Sequence, residues 1–173
     1  NGWFSFRWSV IFDKCQIPRS HTIMKARRTK PGKTQPFTPC PIEEVIDAIK
    51  RERPSVVCAP HVETSAGMII PDEYIKAVSD ATHANGGMFV LDCVASGCLW
   101  INMAKLGVDA LITAPQKGWS GTPCVGVVML SPLGVERLKH TNSSAFGVDL
   151  KKWYTCMRGY VDKGVSMYHD CTN

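Results

Sequence analysis

No apolar run in this 173-residue chain approaches the roughly 20 residues that span a bilayer as a helix, so a membrane helix is not expected. An initiator Met is also missing, as is the basic-then-apolar leader of a secreted protein. The expectation is a soluble chain, with a segment preceding Asn1 absent. The eight cysteines, at 15, 40, 58, 93, 98, 124, 156 and 171, form no Cys-x-x-Cys pair. Several sit inside apolar runs such as Val56-Val57-Cys58-Ala59, so they read as reduced core thiols rather than disulfides, and no metal site is expected. Aromatic residues are missing from the one basic cluster, Lys25 to Lys33, where the net charge of +5 is concentrated. Without stacking partners that cluster reads as a solvated connector, broken by Pro31-Gly32, Pro36, Pro39 and Pro41. Neither a nucleic-acid nor a membrane partner is expected.

With 45% hydrophobic and 20% charged residues, the chain can bury one sizeable core, and a single domain is expected. From Pro41 onward, helical and strand patterns alternate, as they do where parallel strands are joined by crossover helices. Ile42–Glu52 carries apolar residues at 42, 45, 46 and 49, one helical stripe that ends before Pro54. Ser55–Pro60 is a strand candidate, followed by a loop from His61 to Gly67. Asp72 is expected to cap a second helix that turns Tyr74, Ile75 and Val78 inward and stops at Asn85-Gly86-Gly87. Met88–Leu91 is the next strand, ending at Asp92; Ile101–Leu106 is a helical turn and Ala110–Thr113 a strand. Val125–Leu130 is a further strand reached after Gly121-Thr-Pro123, and the spacing from Gly121 to Val125 leaves no room for a crossover helix, so the last strand should run antiparallel. Helices are expected from Pro132 to His140 and from Leu150 to Tyr160. The fold class is α/β, a mostly parallel mixed sheet with helices on both faces.

Ligands of open α/β sheets bind beyond the carboxyl ends of the strands. There the sequence places His61 and Thr64, then Asp92, then Gln116 and Lys117. Lys117 follows an apolar strand, and a charged lysine is costly to bury. It should therefore be paired, shifted in pKa, or used covalently as an imine. Pyridoxal 5′-phosphate (PLP) uses a lysine in the last way, with a carboxylate on its ring nitrogen. His61 reads as a structural polar residue at a strand end.

Five stretches carry a resemblance: Asn1-Gly-Trp-Phe-Ser-Phe-Arg-Trp8, His61-Val-Glu-Thr-Ser-Ala-Gly67, Leu91-Asp-Cys-Val-Ala-Ser96, Pro115-Gln-Lys-Gly118 and Met167-Tyr-His169. In them the chain resembles the class V, fold-type I PLP enzymes of the alanine-glyoxylate and serine-pyruvate aminotransferase group. The resemblance implies PLP as cofactor, bound as a Schiff base to Lys117, which would also act as acid and base. It implies that Asp92 holds the pyridine nitrogen protonated, that Phe4 stacks on one face of the ring and Val94 packs on the other, and that Thr64 lies near the phenolic oxygen. Gln116 would touch the phosphate, and Tyr168 would reach the phosphate in a neighbouring subunit, which implies a homodimer.

The family's upstream phosphate-cradling turn and its downstream small domain with a carboxylate-gripping arginine are absent. Arg7, Arg137 and Arg158 lie in no corresponding motif, and Cys171 departs from the family's usual continuation after Tyr-His. Residues 1–173 therefore read as a partial cofactor-binding large domain. The activity the resemblance implies is amino transfer from alanine or serine to glyoxylate or pyruvate. The alternatives are a class V lyase, a cysteine desulfurase or kynureninase-like enzyme with Cys124 or Cys171 as the loop cysteine, and a truncated non-catalytic scaffold. The expected location is cytoplasmic, with the peroxisome as the alternative.

Overall fold

The structure, a computed structural model, describes residues 2–165. Its backbone contacts divide the chain into two compact units that meet at residues 131 and 132. The first unit opens with α1 (Phe6–Cys15), an unanticipated helix. Its buried position is Ser9, after the buried N-cap Ser5, whereas Phe6, Val10 and Ile11 are exposed. Two short strands follow, β1 (Arg27–Arg28) and β2 (Phe37–Thr38), paired antiparallel. The basic connector is thus more ordered than its prolines suggest. Arg28 lies 4.7 Å from the Phe37 ring centroid and donates to the Lys33 and Gln35 carbonyls. Arg27 forms a two-pronged pair with Glu44.

Helix α2 (Ile42–Glu52) buries Val45 and Ile49 of the expected stripe, half-buries Ile42 and Ile46, and buries Ala48 as well. Glu43 and Glu44 in its first turn and Lys50 and Arg51 in its last complement the helix dipole. Next come β3 (Val56–Pro60), β4 (Val62–Glu63), a 3-10 turn at Thr64–Ala66, and β5 (Met68–Ile69). The expected loop after His61 therefore contains a small antiparallel pair, β4 with β5. Helix α3 (Asp72–Ala84) buries Ile75 and Val78 and half-buries Tyr74. Pro71, not Asp72, occupies its N-cap position, and no side chain caps it; Asp72 acts within the first turn instead.

Strand β6 (Met88–Asp92), a 3-10 turn at Val94–Ser96, α4 (Met103–Leu106), β7 (Ala110–Thr113) and β8 (Val127–Leu130) complete the unit. The main sheet has the order β3-β6-β7-β8, with β3, β6 and β7 parallel and β8 antiparallel to β7. It is the mixed sheet that the short connection predicts. β8 starts two residues later than expected, because pairing with β7 ends at Thr113 opposite Val127. Strand alternation buries Phe89 and Leu91 completely and leaves Met88, Val90 and Asp92 half-buried on the other face. The core joins these two residues to Ile75, Val78, Leu106, Val108 and Leu111. Each fully buried large side chain contributes about 1.5–3 kcal/mol.

The second unit holds α5 (Pro132–Lys139) and α6 (Leu150–Lys163), which pack on each other. Asp149 caps α6 by accepting from the Lys151 and Lys152 amides. The helix runs three residues past the expected Tyr160, stopping where Gly164 takes a left-handed conformation at φ 61°. An Arg158–Asp162 ion pair bridges this added turn.

Candidate active site at the carboxyl ends of the strands

Residues 61–64 follow β3, residues 92–94 end and follow β6, and residues 116–117 follow β7. Because these three strands are parallel neighbours, their carboxyl ends share one edge of the sheet. Asp92 stands opposite both Pro60 and Ile112 in the ladder. Its backbone carbonyl accepts the His61 amide at 2.8 Å, locking the two strand ends together.

Among the described residues, each oxygen of the Asp92 carboxylate has one donor. Oδ1 accepts the Val94 amide at 3.1 Å, and Oδ2 accepts the Trp8 indole Nε1–H at 3.4 Å. A carboxylate has about four lone-pair sites, so Asp92 retains capacity for a further donor. Val94 contributes its amide to this turn and is itself half-buried.

Lys117 lies in the turn after β7 and is exposed, as is Gln116. The burial that singled Lys117 out in the sequence is therefore not found, and its claim rests on position. Among the described residues no ion pair holds Lys117, and its backbone carbonyl accepts the Ser120 amide at 3.2 Å. Ser120 itself adopts φ 53°, which tightens the turn.

Phe4 is 48% exposed, just before α1. Its placement depends on Glu63, 1% exposed, whose carboxylate accepts the amides of Gly2, Phe4 and Ser5 at 3.3, 3.3 and 2.7 Å. Ser65 adds its hydroxyl at 2.6 Å and its amide at 3.2 Å. Burial alone would raise the Glu63 pKa; the bonds from Ser5, Ser65 and Phe4 outweigh it and hold it down to about 2. A carboxylate next to the first amides of α1 also suits the positive end of the helix dipole. Thr64, next in sequence, is exposed and opens the 3-10 turn. Phe4 and Thr64 are thus brought to the same local assembly through Glu63.

His61 is buried and bonds Ser96 Oγ through Nδ1 at 2.7 Å. Burial lowers its pKa, in keeping with a structural role. Tyr168 and Cys171 lie outside the described residues. Among the described cysteines all are free, but Cys15, Cys98 and Cys124 are exposed and so depart from the expected core placement. The described residues contain no group of three or more His, Cys, Asp or Glu side chains able to hold a metal ion.

Glu63, Trp8 and Ser96 carried no role in the sequence reading, although each anchors a site segment. Their partners lie 58, 84 and 35 residues away, and no local spacing signals such contacts.

The Asp92 carboxylate and an exposed lysine amine at adjacent strand ends form a donor set that suits PLP. The chain is 30% identical over 161 residues to a 2-aminoethylphosphonate–pyruvate transaminase from Vibrio parahaemolyticus, covering 91% of this chain and 40% of the relative. It is 27% identical over 155 residues to a protein from a Synechococcus species named as a soluble hydrogenase small subunit, covering 88% of this chain and 38% of that one. A solved alanine–glyoxylate aminotransferase from a Nostoc species shares the fold, with TM-score 0.63 and 24% identity over 76% of this chain and 35% of that chain. The chain spans about 40% of the length of the curated relatives it matches. The "Aminotransferase class-V" family model matches residues 20–159, most of the sequence, and the chain belongs to the class V aminotransferase family.

Proposed function

We propose that this chain is the cofactor-binding part of a PLP-dependent aminotransferase that moves an amino group from a small amino acid, alanine or serine, to a small 2-oxo acid, glyoxylate or pyruvate. The observation that carries the reading is the position of Asp92 and Lys117 at the carboxyl ends of neighbouring parallel strands. Membership of the class V family supports amino transfer, and the pyruvate in the name of the Vibrio relative supports a small 2-oxo acid as acceptor.

When bound, PLP supplies an aldehyde carbon for amines and a cationic ring that takes up the electrons of a deprotonated substrate carbon. Lys117 would hold the cofactor through Nζ, and that amine would be the group placed to move a proton at the substrate Cα. Asp92 would hold the ring nitrogen and keep it protonated, because a nearby carboxylate favours the cation. Phe4 and Val94 would hold the ring between them, with Thr64 beside its oxygen and Gln116 at its phosphate. Tyr168, which lies outside the described residues, would reach the phosphate bound by the partner in a homodimer. Exposed apolar residues Trp3, Phe4, Phe6, Val10 and Ile11 on the N-terminal segment are consistent with such a partner.

The test is product analysis with the full-length protein, PLP, alanine and glyoxylate. Pyruvate and glycine formed in equal amounts, and lost in Lys117→Ala and Asp92→Ala, support the reading. The exposed position of Cys124 keeps a desulfurase as the second reading. Alanine formed from cysteine, with sulfur left on Cys124, would favour it.

A further inference from the structure

Two hydrogen bonds cross between the loop that follows Asp92 and the turn that carries Lys117. The Trp119 indole Nε1–H donates to the Gly97 carbonyl at 2.8 Å, and Cys98 Sγ lies 2.6 Å from the Gly118 carbonyl oxygen. The two segments are 22 and 20 residues apart in sequence, so neither bond is a local turn contact. Their closeness leaves no room for side chains. A Cβ on Gly118 would lie 2.9 Å from the Cys98 amide nitrogen, and one on Gly97 would lie 3.1 Å from Trp119 Nε1 and 3.2 Å from Thr113 Oγ1. Thr113, the last residue of β7, donates in turn to the Cys93 carbonyl at 3.2 Å. Residues 93–98 and 113–119 are therefore laced together from the strand ends outward.

We propose that Trp119 is a positioning residue, whose indole bond to Gly97 fixes the Lys117 turn relative to Asp92. The physical need is plain: Lys117 is exposed, no ion pair among the described residues holds it, and Asp92 is held by β6 and Trp8. A reaction that uses both groups on one small ring requires their separation to be set within a fraction of an ångström. The Ser120 and Gly121 amides close the turn on itself, through Lys117 and Pro115 carbonyls, but do not tie it to the Asp92 loop. The Trp119–Gly97 and Cys98–Gly118 contacts do, and Trp119 is the stronger donor of the two.

This inference rests on the PLP reading, so the experiment separates the two. Full-length wild type, Trp119→Phe and Gly97→Ala are titrated with PLP, following the visible band and its pH midpoint, with thermal unfolding measured in parallel. Trp119→Phe keeps the ring and deletes the donor; Gly97→Ala crowds the same indole from the other side and keeps it falsifiable should one variant misfold. Each folded variant is expected to bind PLP roughly threefold to tenfold more weakly, the worth of one net hydrogen bond, and to move the pH midpoint of the band. Wild-type PLP affinity and wild-type pH midpoint in either folded variant overturn the proposal, whatever its thermal stability. A wild type that forms no band at Lys117 overturns the PLP reading itself, and this inference with it.

Discussion

Glu63 Oε2 accepts the Ser5 amide at 2.7 Å across 58 residues of sequence, so the residues leading into α1 are held by a carboxylate from another part of the fold. Charge-assisted bonds of this kind are about twice as strong as neutral ones. The same carboxylate holds Phe4 and Ser65, and so ties the N-terminal segment to the strand end that carries Thr64.

That arrangement gives stability a defined pH dependence. The Glu63 pKa falls from 4.5 to about 2 on folding, so its contribution is complete above the unfolded value and is lost as pH drops through the folded one. At roughly 1.4 kcal/mol per unit, the contribution is about 3 kcal/mol at neutral pH. Urea unfolding at pH 7 should find Glu63→Gln less stable by about 2–3 kcal/mol, with the gap narrowing steadily between pH 4.5 and 2. A gap that stays constant with pH would mean the charge is not what matters.

Asp109 is a second buried acceptor, 3% exposed, which bonds the Phe89 amide at 2.8 Å, His83 Nε2 at 2.7 Å and Ser131 Oγ at 3.0 Å. Replacing it by Ala strands the buried Phe89 amide and frees the start of β7. The expected loss is about 3 kcal/mol in chemical denaturation, from unsatisfied buried donors. A loss below about 1 kcal/mol would contradict this account.

Gly107 ends α4 at φ 71°, and a Cβ there would collide with Ser79 Oγ, which donates to the Gly107 carbonyl at 2.7 Å. Gly107→Ala should cost about 2 kcal/mol or more, combining backbone strain with the clash. Adding Ser79→Ala removes the clash along with the hydrogen bond and leaves the backbone strain, so the double variant should be more stable than the sum of the two single losses predicts. Strict additivity in a thermal melt would rule the contact out.

The thiols divide by environment. Burial pushes Cys58 up to about 12 and Cys93 up to about 11, so neither forms the reactive thiolate near neutral pH. Brief alkylation of native protein at pH 8, followed by peptide mapping, should label Cys15, Cys98 and Cys124, leaving Cys58 and Cys93 for the unfolded chain. Equal labelling of Cys93 in the native protein would mean that the core around it opens readily.

Helices α2 and α3 were legible because burial follows one helical stripe, and the antiparallel β8 was legible because the Gly121-Thr-Pro123 stretch leads into it with no helix between Thr113 and Val127. Asp92 and Lys117 could be placed at strand ends by the same patterning. The helix α1 was not legible: it buries Ser9 and exposes Phe6, Val10 and Ile11, the reverse of an ordinary amphipathic helix. Glu63 escaped because its role depends on amides distant in sequence. The exposure of Lys117 escaped because apolar flanks say where a strand ends, not how the following turn faces solvent.

The most direct test of the central claim is borohydride reduction of the full-length protein incubated with PLP, followed by peptide mass analysis. A phosphopyridoxyl adduct on Lys117, sharply reduced in Asp92→Ala, is the predicted result. An adduct spread over the exposed lysines, or unchanged when Asp92 is removed, would contradict it.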